Sequence, residues 1–246
     1  MQAFWTIYKR QLFAWFCAPI AYITAAAFWL VAGLSFCRLI SQSMQERLLL
    51  GDVLFGSVFF WSMALAAITL ITMGVFADEQ KSGAIEMLLT APVTDTQVIL
   101  AKYCAALTCY IMLCAPTFAF GPVLNLVAPA PVFSDPAPLF GGYAVMLLIG
   151  ACYVAFGVMA SALTRSQVAA ACICFTGLGL TFFSDVFQQI LPDGRGSAIF
   201  AHLSAARHIM DFSQGILDSR PLVLYVSGII FFLFATVKLL GARHWK

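Results

Sequence analysis

Charge is what this chain has least of. Lysine and arginine number 13, aspartate and glutamate 11, so 10% of its 246 residues are charged, against about a quarter in an ordinary soluble domain. Apolar residues make up 62%. A soluble chain this short could not hide so much apolar surface, so lipid must solvate the excess. The net charge of +2 comes with no basic cluster, which excludes a nucleic-acid partner. Histidine is scarce: His202, His208 and His244. His202 and His208 lie about 240° apart on a helix, so they diverge, and hydrogen bonding at an interface fits them better than metal ligation. The motifs GxxxxGK[ST], HExxH, paired CxxC and GxSxG are all absent. The expectation is a chain with no catalytic, cofactor-binding or metal residues and no ATP-binding loop of its own.

Eight cysteines are present, but their spacing suits neither a metal nor a disulfide framework. Cys104, Cys109 and Cys114 are five residues apart, and each step turns about 140° on a helix, so three thiols point three ways. They read as small apolar fillers.

The charges that do occur punctuate long uncharged runs. Six runs, closing at Cys37, Ala77, Ser134, Thr164, Ser184 and Val237, give an all-α integral membrane protein in one domain, residues 1–246. The predicted spans are about 18–38, 53–77, 97–120, 139–163, 166–186 and 221–240. No alternating pattern suggests a barrel. The middle of each span is nearly free of charge, which argues against an ion-coupled pump. With both termini cytoplasmic, Lys9, Arg10, Lys81, Lys102, Arg165, Lys238, Arg243 and Lys246 fall inside, and the acids concentrate outside. The start of the chain has aromatics first and too long an apolar run for a cleaved signal peptide, so it is expected to be retained.

Residues 2–16 predict an interfacial helix, with Phe4, Trp5, Ile7, Tyr8, Leu12, Trp15 and Phe16 on one arc and Lys9 and Arg10 opposite. The alternative is a first span that begins early. Trp5, Lys9, Arg10, Trp15 and Trp245 are candidate interface anchors. Residues 121–138 carry Pro122, Pro129, Pro131, Pro136 and Pro138 and predict a non-helical external connection. Residues 192–219 predict one or two short external re-entrant helices, with Leu203, Arg207, His208, Phe212, Gly215 and Asp218 as their marker residues. The segment 78–91 predicts a short cytoplasmic helix, with Asp78 and Glu79 at its N-terminus, a bend at Gly83, an apolar end and a stop at Pro92. Such a helix can dock in a partner's groove or lie on the lipid, and its spacing alone leaves both open. Glu79 and Glu86, two turns apart, would face the same side.

The stretch TMGVFADEQKSGAIEMLLTAPVTDTQVILAKYCA resembles the signature of ABC-2 type exporter permeases. FCAPIAYI near the start and LSAARHIMDFSQGILDSRPLVLYVS near the end are similar to elements of the gliding-motility-associated branch, the F-type permease subunit. Ala101 stands where that family usually has Gly before Lys102, Ala84 replaces a usual Thr, and Ala18 the Ser before Pro19. The resemblance implies that 78–91 is a coupling helix, with Asp78, Glu79, Lys81, Ser82, Gly83, Glu86, Leu88, Leu89 and Pro92 contacting a separate cassette ATPase. Two ATPase copies would carry the ATP and Mg. It further implies a second permease, either this same chain or a related partner with a large external domain, and a bacterial cytoplasmic (inner) membrane location. Competing classes are a secondary transporter or channel, and a copper-related permease of the same family.

Overall fold

The computed structural model describes residues 2–43, 57–83, 94–127, 137–184, 204–213 and 218–243. Among these the regular elements are all helical. They are α1 Gln2–Cys17, α2 Pro19–Ser43, α3 Val58–Thr72, α4 Gly74–Ser82, α5 Asp95–Cys114, α6 Phe120–Val127, α7 Ala137–Leu163, α8 Gln167–Phe182, α9 Ala205–Ser213 and α10 Ser219–Arg243. A 3-10 turn, Ala115–Ala119, joins α5 to α6. Backbone amides and carbonyls have no water to bond in a bilayer, so an apolar chain closes its hydrogen bonds along each segment as helix.

Among the described residues, five helical stretches are long and apolar enough to cross a membrane: Pro19–Arg38, Val58–Ser82, Asp95–Val123, Phe140–Leu163 and Ser219–Ala242. The remaining expected span falls on α8, whose 16 residues reach about 24 Å, short of the ~30 Å of a hydrocarbon core. The helices alternate in direction. One end of the bundle carries the end of α4 and the starts of α5 and α8. The opposite end carries the starts of α3, α7 and α10, together with α9.

Helix α7 is the axis of the fold. It packs against α3, α4, α5, α8, α9 and α10, and Tyr143, Met146, Ile149, Val154 and Val158 are buried along it. Two glycines allow the close approach. A Cβ at Gly150 would overlap the Tyr110 ring, and one at Gly157 would overlap the Thr72 side chain. Tyr110 seals its contact by donating its hydroxyl to the Met146 carbonyl at 3.2 Å.

Helix α1 packs on α5 through Ile7, Leu12 and Trp15, and the Tyr8 and Thr108 hydroxyls meet at 2.9 Å. Trp5, Phe13 and Phe16 stay exposed, as do Lys9 and Arg10. The aromatic arc is therefore divided: one part is spent on the bundle, and the other faces outward beside the basic pair. Trp245 lies outside the described residues.

The proline-rich stretch differs from its expected form. Residues 121–127 are helical in α6, and Ala137–Leu163 begins one residue before Pro138. Pro138 stands in a first helical turn, where an amide has no intrahelical partner to lose, and Pro122 lies where the 3-10 turn runs on into α6. Residues 128–136 lie outside the described residues.

Candidate functional site: a polar joint at the α4 end of the bundle

The joint begins with a fault in a helix. Between α3 and α4 the backbone at Met73 stays right-handed helical, yet its ladder is interrupted by a side chain from another helix. Ser161 of α7 accepts hydrogen bonds at Oγ from the Phe76 amide at 3.0 Å and the Ala77 amide at 3.1 Å. Its own hydroxyl donates to the Met73 carbonyl at 2.8 Å. Insertion of a side chain into the i→i−4 ladder is a recognised cause of helix bending. Ser161 can reach because Gly157, one turn earlier, lets α3 lie directly against α7.

Lys102 of α5 meets the same segment from the other side. It is 1% exposed, with its ammonium 2.5 Å from the Val75 carbonyl and 2.5 Å from Glu79 Oε2. The Phe76 ring centroid is 4.3 Å from the same nitrogen. A charge removed from water is tolerable only when paired and hydrogen-bonded. Here a carboxylate, a carbonyl and an aromatic face share that task.

Two further ties complete the joint. Gln80 donates from Nε2 to the Ala162 carbonyl at 3.0 Å, and Gln167, the first residue of α8, donates to Asp78 Oδ1. Gly74 leaves the space into which the Asp78 carboxylate folds. Gly83 then ends α4 in a left-handed conformation, φ 73°, which only glycine adopts freely. The nine residues of α4 are thus bonded to α5, α7 and α8 together.

The structure brings Asp78 and Glu79 into one joint, but not at the start of a helix as their acidity suggested. They occupy the second half of α4, and their charges are answered from α8 and α5 instead of by a helix N-terminus. Residues 78–82 end the span that begins at Val58 and do not open a separate helix. Glu79 is turned inward to Lys102 and keeps 19% of its side chain exposed. Lys81, Ser82 and Gly83 are exposed; Glu86, Leu88, Leu89 and Pro92 lie outside the described residues. Lys102, Ser161, Gln80 and Gln167 were not among the candidate residues. Lys102 had looked like a boundary charge, although a lone lysine opening an apolar run, with an acid pair one helix earlier, was a readable signal for an ion pair.

At the opposite end, α9 lies against α7. Ile209 and Phe212 are buried, and the Phe212 carbonyl would be 3.1 Å from a Cβ at Gly141. Arg207 and Asp211 face outward. His208 is buried with Nδ1 2.9 Å from the Tyr225 hydroxyl of α10. Asp218 has a different task from the one expected: its Oδ1 accepts the Arg220 amide at 3.0 Å and so caps the start of α10. Leu203, His202 and Gly215 lie outside the described residues.

A bundle that is all-helical among the described residues, with five membrane-length stretches there and a polar joint at one end, defines a multi-pass membrane protein. The family model described as ABC-2 family transporter protein matches residues 40–216, well over half of the chain, and the chain belongs to that family. Members are membrane subunits of ABC transporters and are generally not themselves catalytic, which implies an ATPase partner as well as a surrounding bilayer. No match was found among curated proteins.

Proposed function

We propose that this chain is the permease subunit of an ATP-driven exporter or membrane machine of the gliding-motility type. It sits in a bacterial inner membrane with both termini cytoplasmic. Two copies of a separate cassette ATPase bind ATP and Mg and engage the segment that follows α4. A second permease, the same chain or a related partner with a large external domain, completes the pathway. The observation that carries this reading is the joint itself. α4 is bonded to three other helices, so a displacement applied through the segment that follows it in the sequence reaches α5, α7 and α8 at once. A free loop would dissipate it.

The candidate coupling residues divide by this geometry. Lys81, Ser82 and Gly83 are exposed and suited to touch the partner. Asp78 and Glu79 act one step behind, holding the lever that the partner moves. ATP binding would draw the two ATPase subunits together, and the helices would follow only as far as the two states differ in contact energy.

Copurification with the cassette ATPase tests the reading, with hydrolysis measured in vesicles. Reversing the exposed charge in Lys81→Glu should reduce ATPase retained per permease, while Arg38→Ala, near the end of α2 at the opposite end of the bundle, should leave it unchanged. Undiminished retention of the ATPase by Lys81→Glu, in a correctly inserted protein, would place the docking surface elsewhere.

A further inference from the structure

Hydroxyls in this protein have a default partner. Thr24, Ser62, Thr69, Thr72, Thr108 and Thr236 each donate to the carbonyl four residues earlier in their own helix. Side chains of this kind commonly bond back in that way in helices. Ser161 breaks the habit. Its hydroxyl crosses to α3–α4 and takes over two amides and one carbonyl there.

We propose that Ser161 is the catch of a two-position hinge at Met73–Gly74. In the position seen here, the hydroxyl bonds Met73 and receives Phe76 and Ala77. In the second position, the Phe76 and Ala77 amides return to the Thr72 and Met73 carbonyls, which restores the α-helical ladder. Ser161 then donates to the Gly157 carbonyl of its own helix, as the other hydroxyls do. Three hydrogen bonds are made in each position. Equal bond counts leave a small difference in free energy, and a small difference is what lets a modest force choose between states.

The surroundings favour exchange over a fixed strut. Met73 already has helical backbone angles, so the ladder can reform without a large torsional change. Gly157 presents bare backbone to Thr72, so α3 can slide on α7 with no side chain to climb. The movement would swing α4 about its upstream end and carry the segment beyond Gly83 with it. Used in transport, the hinge rests on the permease reading; as a property of the fold, it does not.

The test needs no ATPase, so its failure and that of the permease reading are distinguishable. The full chain is placed in lipid nanodiscs after the exposed thiols Cys17, Cys37 and Cys172 are changed to serine. Spin labels at Lys81 and Val168, both exposed, report the distance from α4 to α8. Amide exchange is followed in the segment containing Phe76 and Ala77. Ser161→Ala should move the label distance to a second value while the two amides stay protected, because the ladder takes them back. Ser161→Thr, which keeps the hydroxyl, should retain the first value. Gly157→Ala provides a second route if Ser161→Ala does not fold. Its methyl group displaces Thr72, lifts Ser161 out of the ladder, and should give the same second distance. The proposal is overturned if the amides exchange about tenfold faster at an unchanged distance, the mark of a simple lost bond. It is equally overturned if neither quantity changes in the folded variants.

Discussion

The two ends of the bundle are held by different chemistry. At the α4 end the ties are a buried ion pair, a hydroxyl inserted into a helix ladder and two amide side chains. At the α9 end they run mainly through hydroxyls and rings. Tyr143 donates to the Thr117 carbonyl at 2.6 Å and stacks on Phe118, Thr117 closes the 3-10 turn onto Cys114, and His208 meets Tyr225. Neutral bonds between a phenol and a carbonyl have one good arrangement and hold wherever water is excluded. An ion pair and a borrowed ladder have alternatives, and their strength depends on what surrounds them. The α9 end is built to be fixed, and the α4 end to be both fixed and released. That division is what a protein needs if force enters at one end only.

The largest expected effect comes from breaking the ion pair on its acidic side. Glu79→Ala leaves the Lys102 ammonium, 1% exposed, with one carbonyl and a ring for company. An unpaired buried charge costs about 3–5 kcal/mol, so inserted, folded protein should fall sharply in detergent melting followed by size-exclusion chromatography. Lys102→Met should be milder, because Glu79 keeps some exposure to water, and the double variant Glu79→Gln with Lys102→Met should recover part of the loss. If both single variants cost the same, the asymmetry argued from burial is wrong.

Overpacking ranks next. Gly150→Val would drive a branched side chain into the Tyr110 ring at mid-bundle, away from either end. A misfit of this kind costs about 1–3 kcal/mol. It should lower stability without shifting ATPase retention, which separates general damage from damage to the joint.

Tyr143→Phe tests the α9 end. It removes one donated hydrogen bond and keeps the stack on Phe118, for a loss of about 0.5–1.5 kcal/mol. Melting should shift slightly, and exchange near α4 should not shift at all. A change at α4 would mean that the two ends are one cooperative unit and would erase the comparison.

Much of the fold was legible because it follows from composition. Scarce charge and long uncharged runs lead directly to membrane-length helices. The joint was only half legible. Asp78 and Glu79 were visible as charges, but their partners come from Lys102 and Gln167, 23 and 89 positions away, and a single sequence does not encode that pairing in any local pattern. Ser161 was invisible for a different reason: a serine in an apolar helix normally bonds its own backbone, so nothing marks the one that does not. The prolines misled because their cost depends on position in a helix. Pro138 occupies a first turn, where the cost vanishes, and Pro122 lies where a 3-10 turn passes into α6.

The smallest expected effect concerns how α4 ends. Gly83 is the one residue with positive φ among those described, and a Cβ there would meet nothing within 4 Å. Space is therefore not the constraint; the backbone angle is. A left-handed conformation costs a Cβ-bearing residue about 1 kcal/mol, and asparagine tolerates it better than alanine because its short side chain can bond locally. Gly83→Asn should melt like the wild type. Gly83→Ala should lose about 1 kcal/mol locally, or else carry α4 onward past Ser82 as helix, since alanine is the best helix former. Both outcomes are visible as altered amide exchange confined to the last turn of α4, with Tyr143 and the α9 end untouched. The functional consequence follows from the joint. If α4 is the lever and Gly83 the point where the lever stops, extending the helix redirects everything beyond it. ATPase retention should then drop in Gly83→Ala by more than its small stability loss explains, and recover in Gly83→Asn. Equal retention in the two variants would show that the angle at Gly83 does not aim the segment that follows.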